Sequence, residues 1–138
     1  MTDSGKIYCK NTNIIYRLDT ISNEIFEWDM PTPSVVYDLT TDNSGNIFFT
    51  FFDGYYKIGK ISVSDNLVTL WTSPSTPGRL KVNSSGNVFF GGQSLTELIT
   101  SEDKFLTMPI VCDNISIDTN DAVYCSAGSS TTKIIIKS

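Results

Sequence analysis

Short apolar runs alternate with polar turns along the whole chain, and one such unit recurs at a nearly fixed interval. The segment GNIFF at 45–49 returns as GNVFF at 86–90, with weaker copies GKIYC at 5–9 and DAVYC at 121–125. Their starts are 40, 41 and 35 residues apart. A unit that repeats at such a period cannot bury its own apolar face and must pack against its neighbours. The pattern therefore predicts a protein built from stacked β repeats.

Each repeat is predicted to contain four short strands, because two-residue alternation and β-branched or aromatic residues mark four runs. In the second repeat, strands a, b, c and d are predicted at 35–41, 47–52, 55–62 and 67–72. The chain then has the order b-c-d, twice a-b-c-d, and a-b-c, with the third c strand near 97–100. About 40 residues is the length of a four-stranded β-propeller blade. The predicted fold is all-β, with about three to four antiparallel propeller blades in one repeat domain over residues 1–138.

The turns between strands a and b also recur. DNSGN at 42–46 and NSSGN at 83–87 place glycine where a tight hairpin requires a positive φ. Asp121 takes this place in the last copy, and Asp enters the left-handed region more readily than most residues do.

Composition excludes several functions. The chain has 40% hydrophobic and 18% charged residues, a net charge of −5 and no histidine. Ten Lys and Arg residues without a basic stripe argue against nucleic-acid binding. No apolar run reaches the roughly 20 residues of a membrane helix, and residues 1–6 lack the apolar core of a secretory signal. Histidine is the commonest proton-transfer group and metal ligand, so we predict no catalytic residue, metal site or cofactor.

The three cysteines form no metal-binding spacing. Cys9 and Cys125 occupy the position that phenylalanine fills in the middle repeats, so both are predicted to be buried in a b strand. Pairing of strands a and b would set Cys125 opposite Ile115, so a disulfide between Cys112 and Cys125 is not expected. A contact between Cys9 and Cys125 would require the first and last blades to meet.

The stretch KIGKISVSDNLVTLWTSPSTP at 57–77, followed by LKVNSSGNVFF at 80–90, resembles the blade repeat of virginiamycin B lyase-like propellers. Residues 17–33 and 39–49 give a second copy, and the likeness covers roughly residues 5–127. NHL-type and gluconolactonase-like propellers share the turn motif. The resemblance implies a ring of about seven blades and a metal-assisted lyase that uses histidine. Because this chain has no histidine, lyase activity by that mechanism is not expected.

An arc of three to four blades would leave two apolar faces bare. We therefore expect either a homo-oligomer that completes a ring or a piece of a longer polypeptide.

Two groups of residues are candidate ligand sites. Asp38, Arg79 and Asn114 share one repeat position just before or within strand a, and they would line the mouth of a propeller channel. The alternative is that they are ordinary solvated strand ends.

The second group is aromatic. Phe52, Tyr55 and Tyr56 flank the Asp53-Gly54 turn and could stack on a sugar or anchor a protein. The neighbouring residues 48–51 are predicted to be core, because strand b is central in a blade.

Three functions remain open from the sequence. A noncatalytic module that binds a protein or a carbohydrate is favoured, because the sequence contains few side chains that could act in catalysis. The others are a carboxylate- or metal-dependent lyase or hydrolase, and a structural component of a virion or surface assembly.

Overall fold

The computed structural model describes residues 5–31, 33–128 and 130–135, the last six through their backbone. These residues form fourteen β-strands. The strands are β1 Lys6–Asn11, β2 Ile14–Asp19, β3 Glu24–Asp29, β4 Val35–Thr41, β5 Ile47–Phe52, β6 Tyr56–Ile61, β7 Val68–Thr72, β8 Leu80–Val82, β9 Val88–Phe90, β10 Leu95–Ile99, β11 Lys104–Met108, β12 Asn114–Ile117, β13 Ala122–Ala127 and β14 Ser130–Ile135. No membrane-spanning helix occurs among the residues described.

The strands form four antiparallel sheets, with the orders β1-β2-β3, β4-β5-β6-β7, β8-β9-β10-β11 and β12-β13-β14. The predicted all-β class and the antiparallel pairing of consecutive strands are confirmed. The chain divides into two compact units, Met1–Thr72 and Ser73–Ser138, each of which contains two sheets. The prediction of a single repeat domain stays a prediction.

In the first unit, one face of each sheet contributes to a shared core. Its buried members are Ile15, Met30, Val36, Ile47, Phe49, Phe51 and Ile61, with Tyr8, Trp28 and Leu39 packed against them. Strand β5 is buried on both faces, since Phe48 is 1% exposed and Phe49 0%. The expectation that residues 48–51 belong to the core is therefore confirmed.

One glycine makes room for an aromatic ring of the second sheet. Gly59 lies opposite Phe49 in the β5–β6 pair. A Cβ atom at Gly59 would lie 2.2 Å from the Phe49 ring, so only glycine lets this ring lie across the neighbouring strand.

In the second unit, the core between the two sheets consists of Phe89, Leu95, Cys112, Ile115, Val123 and Cys125, with Met108, Ile110 and Ile117 at its margin. The predicted a–b turn recurs, with φ of +82° at Gly86 and +63° at Asp121. Asp121 also joins the two sheets, because its carboxylate accepts the backbone N–H of Ser84 at 2.9 Å and bonds the Ser84 hydroxyl.

The expectation about the disulfide is wrong. Cys112 and Cys125 are joined, with their Cα atoms 5.1 Å apart. The predicted register is present, since Ile115 lies opposite Cys125. However, Cys112 precedes β12 and forms a separate bridge with Gly92 through hydrogen bonds of 2.8 and 3.0 Å. The N–H of the next residue, Asp113, donates to the carbonyl of Ser126 in β13 at 2.8 Å, so Cys112 lies beside β13, where the two sulfur atoms can meet.

The prediction that Cys9 is buried is also wrong, because the thiol is free and exposed. Strand β1 is the edge strand of its sheet, and Cys9 projects from the sheet face opposite to the one that carries Tyr8 into the core. The proposed Cys9–Cys125 contact cannot be a disulfide, because Cys125 is already bonded to Cys112.

Candidate functional site

An open cleft in the first unit is the candidate ligand site. Its volume is about 540 Å³, within the range of small-molecule sites. We call it the loop cleft, because it is lined by the β1–β2 turn, the β3–β4 connection with the start of β4, and the end of β5 with its turn. The lining residues are Thr12, Asn13, Pro33, Ser34, Val35, Phe52, Asp53 and Gly54.

Backbone hydrogen bonds hold two of these walls together. The carbonyl of Asn13 accepts the N–H of Met30 at 2.8 Å, and the carbonyl of Thr12 accepts the N–H of Val36 at 2.7 Å. The Asn13 side-chain Nδ2 also donates to the Met30 carbonyl at 3.1 Å. The Oδ1 atom is the acceptor of this amide and can receive a hydrogen bond from a ligand. The β1–β2 turn is therefore fixed against the β3–β4 connection before any ligand binds.

The third wall carries an aromatic ring and a charge. Asp53 accepts a hydrogen bond from Lys57 Nζ at 2.8 Å. This bond with Lys57 is the main reason that the pKa of Asp53 lies below its ordinary value, and the Tyr55 N–H at 3.4 Å adds to the effect. Asp53 therefore remains a carboxylate at neutral pH, with its charge opposed by a neighbouring cation. It can accept hydrogen bonds from a ligand without presenting a net negative patch.

The predicted aromatic group is brought together in part. Phe52 lines the loop cleft, and its ring lies 4.8 Å from that of Tyr56, measured between centroids. Tyr37, which is 55% exposed, lies 6.4 Å from Tyr56. Tyr55 is 70% exposed and does not line the cleft. Phe52 is thus the ring that a ligand in the cleft would meet, with Tyr56 supporting it.

The predicted channel-mouth residues are divided between the two units. Asp38 is half-buried in β4, next to a bulge that begins at Val36, and its N–H donates to Thr50 Oγ1 at 3.1 Å. Arg79 and Asn114 belong to the second unit, where both are exposed. None of the three lines the loop cleft. Their role as one site stays a prediction.

Residues 12–13 and 33–34 were missed as candidates. They are short polar or proline-containing connections without periodicity, so no residue pattern marks them. In the part of the chain that the structure describes, no group of three or more Cys, Asp or Glu side chains is placed to hold a metal ion.

Comparison with known proteins gives a fold and no family. No family model matches the chain, and no curated protein matches it. The structure is similar to the extracellular domain of BT4673 from B. thetaiotaomicron, a proposed one component system, with a TM-score of 0.64 and 13% identity over 96% of this chain. The chain spans 21% of that protein, about a fifth of its length. A protein of unknown function from Bacteroides caccae has a TM-score of 0.42 and 11% identity over 95% of this chain and 69% of its own.

Proposed function

We propose that this protein is a noncatalytic binding module that holds its ligand in the loop cleft. The proposal rests on the cleft: an open volume of about 540 Å³, bounded by three loops of which two are joined by backbone hydrogen bonds, with one aromatic ring and several polar side chains. Binding sites commonly combine an apolar lining with a few placed hydrogen-bonding groups.

The lining favours a neutral, hydroxyl-rich ligand, and we propose a saccharide. The half-buried Phe52 ring and Pro33 supply flat apolar surface for the C–H face of a sugar. Asn13, Ser34 and Asp53 supply groups that hydroxyls can bond. A cationic ligand would compete with Lys57 for Asp53, and an anionic ligand would face the carboxylate directly.

The architecture proposed for the module is a partial β-propeller. The 40-residue repeat and the four antiparallel sheets support it. In this proposal the sheets are blades of a virginiamycin B lyase-like propeller that lacks the catalytic histidine, and copies of the chain complete a ring. The Cys112–Cys125 disulfide supports a location in an oxidising compartment, because disulfides persist there.

Calorimetric titration with a panel of neutral hexasaccharides tests the binding proposal. We expect one or more members to bind, and Phe52→Leu to weaken binding by about 2- to 10-fold because stacking on the ring is lost. The matched control is Phe26→Leu, since Phe26 is a half-buried phenylalanine under the Arg17 guanidinium, 4.2 Å from it, and outside the cleft. Equal losses in both variants, or no binding by the wild type, would contradict the proposal.

A further inference from the structure

One face of the β1-β2-β3 sheet is exposed although its side chains are largely apolar. Ile7, Leu18 and Ile25 lie opposite one another across the three strands, and Cys9 and Tyr16 form the next row, which the exposed Glu27 completes at its edge. Ile7 is 47% exposed and Ile25 65%. Cys9 is also exposed, while Leu18 and Tyr16 are half-buried. Single exposed apolar residues are ordinary, but adjoining rows of them mark a contact surface. We call the five uncharged residues of these two rows, Ile7, Cys9, Tyr16, Leu18 and Ile25, the outer face of the first sheet.

The repeat shows what happens to this face where a neighbour is present. In the second sheet, Ile47 takes the position of Ile7 and Phe49 that of Cys9. Both are 0% exposed, because they pack in the shared core of the first unit with Ile15 from the other side of the first sheet. The same repeat position is thus fully buried in one sheet and bare in the other.

We propose that the outer face of the first sheet packs against the β12-β13-β14 sheet of a second copy of this chain. Repeat position identifies this occupant. The surface that covers Ile47 and Phe49 includes Tyr8, and the fourth sheet carries Tyr124 at the position of Tyr8. Ser116 lies opposite Tyr124 in the β12–β13 pair and is exposed. A second copy therefore offers a surface equivalent to the one already used within the chain.

This contact rests on the proposed propeller stacking and is heterologous, since two different surfaces meet. Heterologous contacts close into rings or extend into filaments, depending on the rotation between copies. The competing arrangement is a two-fold dimer in which the outer face packs against itself. The two arrangements differ at Ser116: this residue lies in the contact of the heterologous arrangement and outside the contact of the two-fold dimer.

Mixing two single-face variants tests the proposal. Ile7→Lys places a charge in the outer face, and Ser116→Lys places one on the fourth sheet. Both positions are solvent-exposed, and circular dichroism should confirm that both variants fold. By sedimentation velocity at micromolar concentration, we expect the wild type to exceed the monomer mass of 15.3 kDa. Each variant alone should associate at least about 10-fold more weakly.

The mixture should form a one-to-one dimer, because each variant retains the surface that the other has lost. Ile21→Lys is the matched control, since Ile21 is 81% exposed in the β2–β3 turn and lies off the outer face. It should associate as the wild type does. A monomeric wild type would overturn the proposal, as would unchanged association of Ser116→Lys, which would indicate the two-fold dimer. Saccharide titration of Ile7→Lys separates the failure of this contact from the failure of the binding proposal. The variant should bind the saccharide as the wild type does, because Ile7 lies outside the loop cleft.

Discussion

Reduction of the Cys112–Cys125 disulfide should destabilise the second unit by an amount that follows from the loop it closes. The two cysteines are 13 residues apart in sequence. A cross-link over that separation removes about 10 cal/mol/K of entropy from the unfolded chain, which is about 3 kcal/mol at 25 °C. For a unit of the size of Ser73–Ser138, the melting temperature of that unit should fall by about 20 °C.

The comparison is made on one sequence, Cys9→Ser, with and without reductant. This design avoids the cavities that replacing two buried sulfur atoms would create. Urea unfolding should be followed by circular dichroism, because Trp28 and Trp71 both belong to the first unit and would not report on the second. Cys9→Ser itself should change the free energy of unfolding by less than about 0.5 kcal/mol, since Cys9 is exposed.

Thiol counting gives an independent check. The unfolded wild type without reductant should show one reactive thiol, that of Cys9. Three reactive thiols, or equal stability with and without reductant, would refute the reasoning.

Three further substitutions have defined outcomes. Burial raises the pKa of Glu97 above its ordinary value of 4.5, so the free energy of unfolding should fall as pH rises from about 4.5 through the folded-state pKa. The midpoint of urea unfolding should therefore decrease over this pH range in the wild type and should lose this dependence in Glu97→Gln. Hydrogen bonds from Ser84 lower the pKa of Asp121, so the Asp121 carboxylate should stabilise the folded state above about pH 4, and this stabilisation should be lost as pH falls through the folded-state pKa. An acid-unfolding curve that Asp121→Asn leaves unchanged would contradict this. Gly59→Ala should destabilise the protein by about 1–3 kcal/mol or more in urea, because the new methyl group would overlap the Phe49 ring; wild-type stability would show the close packing to be absent.

Periodicity predicted the regular parts of the fold. Strands β4 and β5 have the predicted bounds, 35–41 and 47–52, because alternation, aromatic enrichment and a glycine turn coincide there. The third c strand spans Leu95–Ile99 rather than 97–100. Its predicted start was late because the preceding segment of Gly, Gln and Ser shows no alternation.

The path of the connections could not be predicted in the same way. A strand register fixes Ile115 opposite Cys125 but does not fix residues that precede the strand, so the bridge of Cys112 to Gly92 was missed. Phe52 was recognised as a candidate because aromatic residues beside a turn are conspicuous. Its neighbours across the loop cleft, Thr12 and Ser34, come from connections distant in sequence, and only the folded chain brings them together.

Backbone amide chemical shifts test the central claim, that the loop cleft binds a ligand, most directly. The wild type would be titrated with the tightest-binding hexasaccharide of the panel while its ¹H–¹⁵N spectrum is recorded. We expect the largest shifts at residues 12–13, 34–35 and 52–54, the cleft positions that have an N–H. Shifts concentrated at Arg79 or Asn114 in the second unit, or spread without relation to the cleft, would contradict the account.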